Sequence, residues 1–127
     1  MAKAVKELQF ETPNKVGVLN KISGVFKKAG VNILHVWGCG EGSKGYFGVV
    51  TNNNAKAKKA LKTLGFSAKE RDLLVVSLPN KAGALTRISA KLAKANVSIS
   101  SIAATTAGGR VALILNTQNN AKARRLI

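Results

Sequence analysis

One heptapeptide occurs twice in the chain, and this repetition constrains the fold more than any other feature. Residues 13–19 read PNKVGVL and return as PNKAGAL at residues 79–85, which is 66 positions later. The same offset relates the segment NNAKA at residues 53–57 to residues 119–123. Because the register holds without a gap, the chain is interpreted as a tandem duplication of a unit of about 65 residues. We therefore predict two domains, residues 1–70 and residues 71–127.

Each copy has the same order of elements. Apolar and polar residues alternate in a first strand, Pro13 and Gly17 mark a turn, and helical spacing of apolar residues follows. The predicted elements of the first copy are a strand at 8–12, a helix at 17–29, strands at 31–39 and 46–51, a helix capped by Asn53 or Asn54, and a short strand at 66–69. The order βαββαβ predicts an α+β, ferredoxin-like unit, in which an antiparallel sheet carries both helices on one face.

The second strand shows the same irregularity in both copies. Its apolar positions are spaced by two and then by three residues, at Val31, Ile33 and Val36 and again at Val97, Ile99 and Ile102. A β-bulge between the last two positions returns the apolar residues to the helix-covered face. The spacing therefore predicts that His35 and Trp37 lie on the helix-free face of the sheet.

The second copy differs from the first in two ways. Its first strand is apolar on both sides, because Leu73 and Val75 alternate with Leu74 and Val76. Such strands are covered on both faces, so we expect another copy of the domain to pack on this open face. The second copy is also shorter, because Ile127 corresponds to Leu61. We expect this unit to be incomplete at its C-terminus, lacking most of its second helix and its fourth strand.

Composition excludes several classes of protein. The longest apolar runs fall well short of the ~18 residues of a membrane span, and the first residues lack the apolar stretch of a signal peptide. The single cysteine, Cys39, excludes an intrachain disulfide and suits a reducing cytoplasm. Cys39 and His35 lie four residues apart on a strand, about 13 Å, and the chain has no other His or Cys. We therefore expect a cytoplasmic protein with no membrane association, no metal, no cofactor and no Cys–His catalysis.

The chain is strongly basic, with 21 Lys and Arg residues against 5 Asp and Glu and a formal charge of +16. Such a balance indicates either a polyanion partner or a solvated basic surface. The densest cluster, residues 56–62, has apolar residues at helical spacing and fits the wet face of an amphipathic helix. A basic ferredoxin-like nucleic-acid-binding protein is the alternative function. RNA-binding modules of this architecture stack bases on sheet aromatics, for which only Tyr46 and Phe47 qualify on the third strand.

The turn at residues 13–19, followed by AGVNI at residues 29–33, resembles an ACT domain, a small regulatory module attached to many amino-acid-metabolising enzymes. In the second copy, residues 79–85 together with NVSI at residues 96–99 resemble this pattern less closely. The chain departs from it where Val16 and Ala82 replace the usual proline, where Ser98 replaces an asparagine, and in its basic character. The resemblance implies a tandem ACT protein without an enzyme, which binds an amino acid as effector and forms a homo-oligomer such as a dimer.

A ligand site is predicted at the turn between the first strand and the first helix. Gly17 and Gly83 lack a Cβ, which lets the backbone approach a bound molecule, and the helix N-terminus suits a carboxylate. A glycine that only makes the turn is the alternative. In the ACT family the ligand lies between two domains, touching this turn of one and the second strand of the other. That resemblance implies, as ligand-binding residues, Asn14, Lys15, Val16, Gly17, Val18, Leu19, Asn32 and Ile33 in the first unit, and Asn80, Lys81, Ala82, Gly83, Ala84, Leu85, Ser98 and Ile99 in the second.

Overall fold

The computed structural model describes residues 2–127 and contains six strands and four helices within that range. In chain order they are β1 (Ala2–Pro13), α1 (Val18–Ala29), β2 (Ile33–Glu41), β3 (Lys44–Thr51), α2 (Asn54–Thr63), β4 (Lys69–Pro79), α3 (Ala84–Lys94), β5 (Ile99–Ala107), β6 (Arg110–Thr117) and α4 (Asn120–Leu126). The predicted α+β class is confirmed. None of these helices is long and apolar enough to cross a membrane.

The chain divides into two compact units. Unit one contains Lys6–Arg71, and unit two contains Asp72–Ile127 together with the N-terminal residues up to Val5. The strand order is β2-β3-β1-β4 in unit one and β5-β6-β4-β1 in unit two. The pairings of β1 and β2 with β3, and of β4 and β5 with β6, are antiparallel. Each unit therefore has the strand order of a ferredoxin-like domain.

Strand β4 corrects one prediction. A short strand at residues 66–69 and a separate strand from residue 73 were expected, but Lys69–Pro79 forms one continuous strand. The reason is that this segment contains no glycine, and its only proline stands at the end, so nothing breaks the extended backbone. The first part of β4 completes unit one, and the rest lies in unit two.

The second copy ends in α4, and no strand follows that helix in the described chain. In unit two the neighbour of β4 on its free side is the start of β1, whose Ala2 is 5% exposed and lies in a core cluster with Leu74 and Val76. The expectation that most of the second helix is missing is wrong. The helix α4 begins at Asn120, the counterpart of Asn54 at the start of α2. It has seven residues, whereas α2 has ten, so most of the second helix is present.

Each unit has its own hydrophobic core between its sheet and its two helices. In unit one, Leu8 of β1, Ile22 and Phe26 of α1 and Leu61 of α2 are almost completely buried. In unit two the counterparts of the first three of these residues are also core residues, namely Leu74, Ile88 and Leu92. The duplication therefore preserves the packing scheme as well as the order of elements.

The predicted bulge is confirmed in both edge strands. The register of β2 against β3 shifts between Ile33 and His35, after which Trp37 lies opposite Gly48. The register of β5 against β6 shifts between Ile99 and Ser101. Because directly opposed residues share a face, Trp37 lies on the helix-free side of the sheet, as the spacing predicts.

The apolar outer face of β4 is partly covered within the chain itself. Leu73 is only 3% exposed, and Val75 is half-buried, whereas Ser77 is exposed. Leu73 is therefore already buried without a further copy of the domain on this face, contrary to the expectation from sequence.

Candidate functional site

An open cleft of about 430 Å³ lies in unit one, between the β1–α1 turn and strand β2. This volume is at the small end of the range for small-molecule sites. The residues that line it come from the end of β1, the start of α1, the middle of β2 and strand β3: Thr12, Pro13, Asn14, Lys15, Gly17, Val18, Leu19, Val36, Trp37, Gly38, Cys39, Gly40, Gly45 and Phe47.

The turn that forms one wall of the cleft is fixed to the β2–β3 hairpin. The backbone N–H of Asn14 donates to the carbonyl of Ser43 at 2.9 Å, and its side-chain Nδ2 donates to the carbonyl of Gly42 at 3.0 Å. The Asn14 amide lies directly over Gly40, where a Cβ would come within 2.6 Å of Nδ2. The wall is therefore held in place by hydrogen bonds before any ligand arrives.

Helix α1 presents an uncapped N-terminus to the cleft. Gly17 precedes it with φ +90°, no side chain caps the helix, and its first turn has no acidic residue. By contrast, the Oδ1 atoms of Asn53 and Asn119 accept N–H bonds that cap α2 and α4. Unpaired amides and the helix dipole together attract anions, and Lys15 adds a full positive charge to the lining.

The structure shows one of the two roles considered for Gly17, that of making the turn. Its backbone lies in the left-handed region, which a side chain disfavours whatever the surrounding space. A Cβ at this position would meet nothing within 4 Å. The turn therefore requires glycine for its backbone conformation, and the space beyond it is open to solvent.

The rest of the rim is apolar. Leu19 is 53% exposed, Val36 is 43% exposed and Trp37 is 37% exposed, although all three are large hydrophobic side chains. The indole of Trp37 itself lies on the helix-free side of the sheet, where Nε1 donates a 3.0 Å hydrogen bond to Oε2 of the buried Glu7. The cleft thus combines a positive end with apolar walls, an arrangement that fits a small carboxylate carrying an apolar group.

Unit one brings together five of the eight residues that were predicted for its site: Asn14, Lys15, Gly17, Val18 and Leu19. Val16 is completely exposed and does not line the cleft. Asn32 and Ile33 stand at the start of β2, whereas the cleft lies toward its end, so they do not line it either. Their predicted role in ligand binding stays a prediction.

Unit two repeats the turn but not the glycines around it. Gly83 has φ +87°, and the N–H of Asn80 donates to the carbonyl of Gly109 at 2.9 Å. The other residues predicted for this unit are placed as in the first copy: Lys81 and Ala82 in the turn, Ala84 and Leu85 at the start of α3, Ser98 before β5 and Ile99 at its first position. However, Gly38, Gly40 and Gly45 of the cleft correspond to Ala104, Thr106 and Val111.

Several residues of the cleft escaped the reasoning from sequence. Val36, Trp37 and three glycines of β2 and β3 line the cleft, although none of them is among the predicted site residues. The signal was nevertheless present. Three glycines that have side chains at the matching positions of the other copy indicate a surface that only one copy keeps open.

A second, smaller cleft of about 360 Å³ lies on the helix-free side of unit one, and its lining includes Gln9, Glu11, Trp37, Tyr46 and Arg71. The aromatics proposed for base stacking differ in their environments here. Tyr46 is half-buried in this cleft, whereas Phe47 stacks on the buried Phe10 with ring centroids 5.6 Å apart. Phe47 is therefore part of the packing of unit one.

No group of three or more His, Cys, Asp or Glu residues within residues 2–127 is placed to share a metal ion. Cys39, which lines the cleft, is an exposed free thiol.

Comparison with known proteins agrees with this architecture. No curated protein matches the chain. Protein BT0572 from Bacteroides thetaiotaomicron is similar in structure, with 24% identity, a TM-score of 0.91, and coverage of 98% of this chain and 87% of that one. The ligand-free regulatory subunit of aspartate kinase from Thermus thermophilus is 16% identical, with a TM-score of 0.73 and coverage of 96% and 89%. Both likenesses concern the fold.

The family assignment comes from the sequence itself. The model of the ACT domain pair matches residues 3–127, which is nearly the whole chain. The match spans both copies of the duplicated unit and both glycine turns. The chain therefore belongs to the ACT domain pair family.

Proposed function

We propose that this protein is a non-catalytic, cytoplasmic regulatory protein that binds a small amino acid, or a closely related carboxylate, in the cleft of unit one. The observation that carries the proposal is the uncapped N-terminus of α1 at Gly17, which faces an open cleft together with Lys15. Amide donors and a cation recognise the carboxylate, and Leu19 and Val36 contact the apolar part of the ligand.

Membership of the ACT domain pair family supports a regulatory role. Two proteins of similar fold are regulatory subunits of aspartate kinase, from Thermus thermophilus and Thermus flavus. By this analogy, ligand binding changes how the chain associates with itself or with a regulated enzyme, because a ligand shifts an equilibrium only through a difference in affinity between two states.

A second copy of the chain is the proposed cover for the cleft. Strand β2 stands at the end of the strand order of unit one, and Leu34 on it is 62% exposed beside the exposed rim. Unpaired edges and exposed apolar side chains favour association. In this arrangement Asn32 and Ile33 of one copy approach the ligand held by the turn of the other, which is the role predicted for them from the family.

The test is calorimetric titration of the chain with the proteinogenic amino acids and their 2-oxo acids. A ligand at about 100 times its Kd raises the free energy of unfolding by about 2.7 kcal/mol. The variant Leu19→Asp places a carboxylate on the cleft without harming the helix, because acidic residues are favourable in a first turn. We expect it to abolish binding.

The matched control is Leu85→Asp, which makes the same change at the counterpart position of unit two, where Leu85 is 50% exposed. Binding that survives Leu85→Asp but not Leu19→Asp supports the cleft of unit one. Binding that survives Leu19→Asp, or the failure of all these compounds to bind, contradicts the proposal.

A further inference from the structure

Positive charge is segregated by element in this protein. The four helices contain thirteen Lys and Arg residues, three in α1, four in α2, three in α3 and three in α4, and no Asp or Glu. All five acidic residues lie on strands: Glu7, Glu11, Glu41, Glu70 and Asp72. The strands also hold six cations and are therefore nearly neutral. The formal charge of +16 is thus mainly a property of the helices.

The helical cations face solvent. The buried side of each helix is apolar, as with Ile22 and Phe26 in α1, and twelve of the thirteen cations are exposed. The exception is Lys122, which is half-buried and donates from Nζ to the carbonyl of Ala95 at 2.8 Å. Each unit therefore presents a cationic layer made by its two helices.

The placement of these cations is unfavourable for the helices themselves. Lys and Arg near a C-terminus suit the helix dipole, which accounts for Lys27, Lys28 and others in the last turns. The dipole opposes Lys21, Lys56 and Arg87, which stand near N-termini in α1, α2 and α3. Like charges four residues apart, as at Lys58 and Lys62, also repel. Stability of the helices alone does not explain the pattern.

We infer that the helical faces bind the phosphate backbone of double-stranded nucleic acid. A regular polyanion releases counterions when its phosphates meet clustered Lys and Arg. Single-stranded nucleic acid is bound with the help of stacked aromatics, but the only aromatic in the four helices, Phe26, is buried. Membrane-binding helices insert apolar side chains, and the large apolar residues exposed on these helices, Leu19 and Leu85, both lie in first turns.

This inference is independent of the proposed ligand site, and the experiment uses the full chain with a fluorescent DNA duplex of about 20 base pairs. Binding is followed by anisotropy between about 50 and 200 mM salt. Each phosphate contact contributes about −0.9 to the slope of log K against log salt, so we expect a slope steeper than about −3. Two triple variants are compared, and each removes three positive charges. The α2 variant combines Lys58→Gln, Lys59→Gln and Lys62→Gln on the exposed face of that helix. The strand variant combines Lys3→Gln, Lys69→Gln and Arg71→Gln.

We expect the α2 variant to lose about tenfold or more in affinity at low salt and the strand variant to lose less than about threefold. Thermal melting by circular dichroism checks that both variants fold. If the α2 variant does not, Arg124→Gln with Arg125→Gln replaces it, and the strand control is then the double variant Lys69→Gln with Arg71→Gln. Equal losses from the two variants would mean that charge acts without regard to position, and would overturn the inference. So would the absence of duplex binding at low salt, tighter binding of oligo-dT, or tighter binding of phosphatidylserine vesicles.

Discussion

The indole Nε1 of Trp37 donates a 3.0 Å hydrogen bond to Oε2 of Glu7, a carboxylate that is only 1% exposed. The other oxygen of this carboxylate accepts a 2.7 Å bond from Nε2 of Gln9. Gly48 lies opposite Trp37 and leaves the space that the indole occupies, because a Cβ there would overlap Nε1 and lie 2.8 Å from Cδ of Glu7. These contacts hold the indole of Trp37 on the helix-free side of unit one.

The second copy fills the same place with different residues. Glu7, Trp37 and Gly48 correspond to Leu73, Ala103 and Ile114. In unit one the large residue, Trp37, lies on the edge strand β2 opposite a glycine of β3. In unit two the large residue, Ile114, lies on β6 opposite the small Ala103 of the edge strand β5. The duplicated units have therefore diverged on their helix-free faces, and only unit one has a tryptophan there.

Replacing Gly48 by alanine tests this packing. We expect Gly48→Ala to lower the free energy of unfolding by about 1–3 kcal/mol, because the added methyl group displaces the indole from Glu7. Urea denaturation measures the loss. In a Trp37→Ala background the overlap with the indole is absent and only the 2.8 Å contact with Cδ of Glu7 remains, so the additional cost falls by about 1 kcal/mol. Equal costs in both backgrounds would show that Trp37 does not constrain this position.

The start of β1 offers a test of unit two. Ala2 is 5% exposed in its core cluster, whereas Ala4 two residues later is exposed. We expect Ala2→Asp to destabilise the protein by at least about 2 kcal/mol, because it buries an unpaired charge. Ala4→Asp is the control, with an expected effect within about 0.5 kcal/mol. Similar melting temperatures for the two variants would contradict the placement of β1 in unit two.

The asparagines before α2 have unequal importance. Asn53 contributes one capping bond, from the N–H of Lys56 at 3.1 Å. Oδ1 of Asn54 accepts from both the N–H and the hydroxyl of Thr51, and its Nδ2 donates to the carbonyl of Lys6 at 3.1 Å. We expect Asn53→Ala to cost about 1 kcal/mol and Asn54→Ala to cost more, up to about 3 kcal/mol. Chemical denaturation of both variants decides the order, and the reverse order would refute this network.

Gly17 allows the ligand site to be tested apart from the turn. Asparagine tolerates the left-handed conformation better than other side chains, so we expect Gly17→Asn to remain folded but to lose ligand binding, because its side chain enters the cleft. Gly30→Asn is the matched control, since Gly30 also has positive φ and open space but lies at the other end of α1. Calorimetry measures ligand binding by both variants. Retained binding in Gly17→Asn, or lost binding in Gly30→Asn, would contradict a ligand site in this cleft.

Local patterns in the sequence were sufficient for much of the fold. The bulge after Ile33, the start of α1 after Gly17 and the cap at Asn53 all depend on neighbours a few residues apart, and periodicity reports such features directly. Duplication strengthened these predictions, because each pattern appeared twice at one offset.

Features that depend on distant partners were not predictable in the same way. Residues 2–5 of β1 belong to the unit whose other residues begin at Asp72, and no local sequence pattern predicts that the N-terminal residues join that unit. The approach of Val36 to the cleft requires the course of β2 past the β1–α1 turn, which only tertiary structure shows. Asn32 was grouped with Gly17 by resemblance, although unit one alone does not bring it to the cleft.

The central claim, that a small carboxylate binds at the start of α1, is tested most directly by a backbone amide NMR titration of the full chain with amino acids and 2-oxo acids. We predict saturable shifts for at least one of these compounds, concentrated at residues 17–20 and 36–40. Saturable shifts confined to other residues, or none with any of these compounds, would contradict it.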